Sequence, residues 1–210
     1  MSKKTKIIIA ILGVILIAGG ITAFCVYQHK QHKQEIQRKA KYASSLEEYE
    51  YATIYGIYSC FILGQDIVEQ LDNVINKDQV KIEKQKVINC SDVNEGLRIT
   101  LDKWKRMGGY DELKKFKEES GKYLKQMKDN KSDDDEEAIR ACEDLYQAFM
   151  KIYGIVEVPT GNKVSFSQTL SSTYNDCESK IDVYLMKTNR TIDKPGKRLE
   201  ALGIMGSRLL

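Results

Sequence analysis

Hydrophobic positions along this 210-residue chain fall into two regimes, one unbroken run and then a long series spaced by three and four. The run is residues 7–27, which carry no charge and follow directly on Lys3, Lys4 and Lys6. A helix of about 20 apolar residues spans the hydrocarbon core of a bilayer, so the pattern predicts a transmembrane segment here. Beyond it, Leu46, Tyr49, Thr53, Ile57, Cys60, Gly64, Ile67, Leu71 and Val74 recur at steps of three or four. That is the period of an amphipathic helix with coiled-coil-like packing. The basic stretch before it, from His29 to Lys41, reads as a helical stalk joining the span to this first helix.

Further helices follow. Residues from Val80 to Ile88 fit either a continuation of the first helix or an irregular connection. Ser91-Asp92 with Glu95 marks a helix start, with Leu97, Leu101 and Trp104 on its core face, and Gly108-Gly109 interrupts it. Tyr110, Leu113, Phe116, Tyr123, Leu124 and Met127 resume the period as far as the break at Asp129-Asn130-Lys131. The next helix starts at Ser132 or Asp133, where the acidic run 133–137 suits the positive end of the helix dipole. Its core face is Ala138, Cys142, Leu145, Phe149 and Tyr153, with Gly154 as the expected stop. After a turn at Pro159-Thr160-Gly161-Asn162, Ser165 and Gln168 form a capping box. They open a last helix through Leu170, Tyr174, Cys177, Ile181, Tyr184 and Thr188, ended by Pro195-Gly196.

The expected organisation is all-α: an N-terminal transmembrane helix followed by an antiparallel bundle of about four helices. Its parts are a cytoplasmic tip (1–6), a signal anchor (7–27), a basic juxtamembrane stalk (28–45), a helical-bundle ectodomain (46–194) and a tail (195–210). The tail carries Leu199, Leu202, Ile204, Met205, Leu209 and Leu210, apolar enough to dock on the bundle. A removable signal peptide competes with the anchor, because Ile21-Thr22-Ala23 loosely resembles a cleavage site. The apolar stretch continues through Phe24-Cys25-Val26-Tyr27, which favours retention, and Phe24 before Cys25 argues against lipidation. Lys3, Lys4 and Lys6 place the N-terminus in the cytoplasm, and a long C-terminal domain translocates despite the basic residues after the span. Within the span, Ala18/Thr22 and Gly19/Ala23 place small residues four apart, a spacing that lets a second helix approach closely.

Composition narrows function more than it names it. The chain has 33 basic and 30 acidic residues, so without the three lysines of the tip the remainder is balanced. Nucleic-acid binding needs a concentrated basic face, and none is expected. The expected partners are the lipid bilayer and an envelope protein or ligand of unspecified identity. There is no GxSxG, HExxH or phosphate-cradling glycine loop, and no histidine follows His32. Histidine-based nucleophilic catalysis inside the bundle is therefore excluded. No catalytic residue, cofactor or metal site is expected. His29 and His32, three apart at the membrane edge, read as interfacial polar residues.

Four cysteines lie beyond the span: Cys60, Cys90, Cys142 and Cys177. With the last turn near Pro159-Thr160, residues whose numbers sum to about 319 lie level, which pairs Cys142 with Cys177. A first turn near Ile75-Asn76 brings Cys60 roughly level with Cys90. The alternative to pairing is that all four are small buried hydrophobes. Tyr51, Tyr55 and Tyr58 either pack at the core boundary or form a partner-binding surface.

Leu124-Lys125-Gln126-Met127-Lys128-Asp129, Leu145-Tyr146-Gln147-Ala148-Phe149, Val158-Pro159-Thr160-Gly161-Asn162 and Ser165-Phe166 follow a recurring pattern. Over residues 123–185 the chain resembles uncharacterised membrane- or lipid-anchored helical proteins of Gram-positive bacteria. Thr160 stands where serine is usual in that group, and the lipidation signal of some members is absent. The resemblance implies a surface location and a helical fold, and it assigns no functional residue.

Overall fold

The computed structural model describes residues 3–81 and 87–191, with side chains from residue 26 onward. The side chains of the expected tip and of most of the expected span, and the whole expected tail 195–210, lie outside the described residues. Among the described residues no helix is long and apolar enough to cross a membrane.

One helix dominates the molecule. Helix α1 runs from Lys3–Lys77, 75 residues, or about 110 Å at 1.5 Å per residue. Stalk and first bundle helix are therefore a single rod, as the absence of any proline before Pro159 permits. All nine expected core positions from Leu46 to Val74 are buried. The rod ends where Asp78 adopts a left-handed φ of 50° and donates its N–H back to the Val74 carbonyl at 3.0 Å.

The described ends of the ambiguous segment form strand. Strands β1 (Gln79–Lys81) and β2 (Val87–Asn89) pair antiparallel, Val80 opposite Ile88. β-Branched Val80, Val87 and Ile88 suit a pleated surface. Val80 is buried with Val74 and Cys90 in a small cluster of its own.

Helix α2 (Val93–Arg106) starts as expected: the Asp92 side chain accepts from the Glu95 N–H, while Glu95 Oε2 accepts from the Ser91 N–H at 2.7 Å. Gly108, at φ 76°, separates it from α3 (Gly109–Asn130). Ser132 and Asp135 form a capping box around the short 3-10 turn Asp133–Asp135, which leads into α4 (Glu136–Glu157).

Three helix boundaries differ from expectation. Helix α4 does not stop at Gly154 but continues through Val156, whose fully buried side chain holds the last turn to the core. Helix α5 (Lys163–Thr188) is capped by Asn162, whose side chain accepts from the Ser165 N–H, and not by a Ser165–Gln168 box. It ends at Asn189, left-handed at φ 52°, before Pro195 is reached.

Contacts fix the helix directions. Ser45 meets Gln126, Thr53 meets Ser120 and Asp66 meets Trp104, so α3 and α2 descend as α1 rises. Tyr49 donates to the Cys142 carbonyl at 2.6 Å, and a Cβ on Gly56 would sit 2.4 Å from the Phe149 ring, so α4 rises beside α1. Tyr184 meets Glu50, Phe61 meets Tyr174 and Lys163 meets Asp72, so α5 descends. The result is an all-α helical bundle with one short hairpin at its far end. Its core includes Tyr49, Ile57, Leu63, Phe116, Leu145, Phe149 and Leu170.

Candidate functional site

The three tyrosines expected to form a partner surface share one line of α1 but not one environment. Tyr55 is only 5% exposed and belongs to the core, which removes it from any binding surface. Tyr51 is 36% exposed; its ring lies 4.6 Å from that of Tyr55 and meets Phe116 of α3 edge-on at 5.9 Å. Tyr58 is half-buried beside Tyr174 of α5, centroids 6.1 Å apart. Burial raises the Tyr58 hydroxyl above its ordinary range. Tyr174 also stacks on Phe61 at 3.8 Å. Of the three, only Tyr51 and the half-buried Tyr58, two helical turns apart, reach solvent.

A polar node lies further along the same helix. Asp66 Oδ2 accepts from Lys103 Nζ at 2.9 Å and from Trp104 Nε1 at 2.6 Å, while Oδ1 accepts from Gln70 Nε2 at 3.1 Å. Gln70 Oε1 in turn accepts from the Lys81 N–H at 2.8 Å. Five groups on α1, α2 and β1 form one network around the Asp66 carboxylate and the Gln70 amide. Periodicity did not reveal it, because Asp66 sits beside core position Ile67 and reads as a solvated residue. The signal available was Trp104, the only tryptophan, whose indole N–H needs an acceptor when partly buried.

At the opposite end of the bundle, Glu50 accepts from Tyr184 Oη at 3.0 Å and Arg190 Nε at 2.5 Å, clasping the end of α5 to α1. At the far end, a groove of about 610 Å³ opens between the last turns of α1 and the start of α5. Its lining includes Asp72, Asn76, Lys163 and the exposed side chains of Ile75 and Val164. Lys163 pairs with Asp72 across it, so its charge is already satisfied.

The four cysteines are buried free thiols, and both expected disulfides are overturned by register. Cys177 Sγ donates to the Ala148 carbonyl at 3.5 Å, and Lys151–Asp176 and Asp144–Lys180 keep the same alignment. Cys142 is six residues from Ala148, about 9 Å of helix, whereas bridged cysteines need Cα atoms within about 7 Å. The observed level is offset by about six residues from that expected for a turn centred at Pro159-Thr160. Cys90 bonds through its N–H to the Asp78 carbonyl, and Asp78 lies 18 residues, about 27 Å of helix, beyond Cys60. Burial raises every thiol: Cys142 and Cys177 are each pushed up to about 12, and Cys60 and Cys90 also rise. The expectation of small buried hydrophobes fits these positions.

Chemically, the described bundle offers packing and hydrogen bonding. Burial raises the hydroxyls of Tyr110 and Tyr153 to about 12. Among the described residues no three His, Cys, Asp or Glu side chains gather closely enough to hold a metal ion. His29 and His32 are exposed on the stalk. Compared with family models, curated proteins and solved structures, the chain matches none.

Proposed function

We propose that the chain is a single-pass membrane protein whose helical bundle stands outside the cytoplasm and binds a partner at the cell envelope. The observation that carries this reading is the continuity of α1. The helix that contains the uncharged run 7–27 is the same 75-residue helix around which the bundle packs. Such a protein is a transmembrane helix followed by a helical bundle, in line with the anchored Gram-positive proteins that residues 123–185 resemble. An uninterrupted rod fixes the bundle relative to the span, which suits presenting a surface at a set height above the bilayer. The reading is one of binding and not of catalysis, because the bundle contains no histidine and burial keeps its thiols protonated.

The surface assigned to the partner is the one that carries Tyr51 and Tyr58, aromatic side chains being favoured anchors in interfaces. A second reading, an accessory subunit assembled through the span, is favoured by the small residues Ala18/Thr22 and Gly19/Ala23. Proximity labelling in the source cell separates the two readings, with the label placed once in the bundle and once beside the span. The first reading expects labelled partners from the bundle, and their loss in Y51A/Y58A while the variant keeps its thermal midpoint. Partners that persist with the folded variant, or that appear only beside the span, would transfer the assembly surface to the span.

A further inference from the structure

The first described turns of the stalk have a charge pattern that the bundle does not use. At 100° per residue, Val26, Tyr27, Lys30, Lys33 and Lys41 fall on one face of α1. All five are exposed. The only acid between residues 26 and 44 is Glu35, which lies on the other side of the helix and is neutralised by Lys39 at 2.8 Å. Arg38 is turned away, its guanidinium donating to the Lys131 carbonyl at the end of α3. Lys30, Lys33 and Lys41 therefore form an acid-free cationic face, without a protein partner among the described residues.

Distance grades the three lysines. Lys30 and Lys33 lie three and six residues from Tyr27, about 5 and 9 Å along the axis, within roughly one screening length of a surface at that level. Helical side chains tilt toward the N-terminus, so both ammonium groups lean back toward the uncharged run. Lys41 is fourteen residues away, about 21 Å, and beyond that reach. We infer that Lys30 and Lys33, with Tyr27 at the interface, bind the anionic headgroups of phospholipids. This rests on the membrane-anchored reading. Each lysine held near an anionic surface favours it by about fivefold, so the pair gives about a 25-fold preference over a zwitterionic lipid.

The test uses the full chain with vesicles of phosphatidylcholine alone or of equimolar phosphatidylcholine and phosphatidylglycerol. Flotation with the neutral vesicles checks the anchor separately: a chain that stays behind overturns the membrane reading itself. The chain is then extracted in a neutral detergent, and the retained lipids are counted by native mass spectrometry. Selective retention of phosphatidylglycerol is expected, largely lost in K30Q/K33Q and kept in K41Q and in the bundle-surface control K105Q. Equal retention of both lipids, or a preference unchanged in K30Q/K33Q, would overturn the inference while leaving the anchor intact. All four lysines are exposed, and an unchanged helical circular dichroism signal confirms that each variant folds.

Discussion

Asp66 accepts the indole N–H of Trp104 at 2.6 Å and the Lys103 ammonium at 2.9 Å, so one carboxylate on α1 secures two consecutive residues of α2. The side chains of Asp66 and Lys103 are only 12% and 14% exposed. Removing one partner of such a pair leaves the other charge poorly solvated, at a cost of about 3 kcal/mol. D66A is expected to lose about that much stability, and D66N less, because the amide oxygen still accepts from the indole. Urea unfolding followed by tryptophan fluorescence measures both directly, since Trp104 is the only tryptophan. Equal stability of D66A and the parent chain would show that the node contributes nothing net.

The thiols make a chemical prediction. Thiolate is the reactive form, and Cys60, Cys90, Cys142 and Cys177 are all buried with raised pKa values. Native protein should be alkylated at these four positions only slowly. After unfolding without reductant, each of the four should take up one alkyl group, as read by peptide mass spectrometry. A Cys142–Cys177 bridge recovered under those conditions would require α4 and α5 to slide by more than a turn from the register set by Ala148.

Much of the helical pattern was legible in spacing alone, because every three–four position on α1 from Leu46 to Val74 is buried, with residues 52–57 covered on all sides. The Asp92 and Ser132 starts were also legible, since short polar side chains there satisfy free backbone N–H groups. The boundary after Gly154 was not. Glycine is a frequent helix stop, but the burial of Ile152 and Val156 continues the apolar face past it. The level of α5 against α4 was not legible either: Cys177 lies beside Ala148 and not beside Cys142. The hairpin was hidden because its short strands read equally as apolar helix positions. The aromatic candidates were half legible: sequence placed Tyr51, Tyr55 and Tyr58 in line, but only packing against α3 and α5 separates buried Tyr55 from the other two.

Two glycines should respond oppositely to the same change. Alanine is favoured over glycine inside a helix by about 1 kcal/mol. At Gly154 a Cβ meets nothing within 4 Å, so G154A should raise stability by about 0.5–1 kcal/mol. At Gly56 it would fall 2.4 Å from the Phe149 ring in the fully buried seam between α1 and α4. Overpacking there costs about 1–3 kcal/mol, so G56A should lower the thermal midpoint despite its better propensity. Adding F149L to G56A should give less loss than the two single changes summed, because the smaller side chain makes room for the new methyl. Strict additivity would mean that the ring moves aside freely.

Acid should loosen the ends of the bundle before its centre. The Lys163 hydrogen bond holds the Asp72 carboxyl below its ordinary value of 3.8. Lys131 and Lys187 do the same for Glu136 and Glu137, whose ordinary value is 4.5. Glu95 is lowered chiefly by the Ser91 backbone N–H. A carboxyl depressed in the folded state contributes stability that is present above its unfolded pKa and is lost as pH falls through the folded one. The thermal midpoint should therefore stay level from pH 7 to about 5 and fall below about pH 4. D72N should flatten part of that fall by removing one titrating group. High salt should weaken the contributions of the lysine-paired carboxyls through screening, while that of Glu95, held by an uncharged donor, should persist. A midpoint that rises on acidification would show that repulsion among the 30 acidic side chains outweighs these pairs.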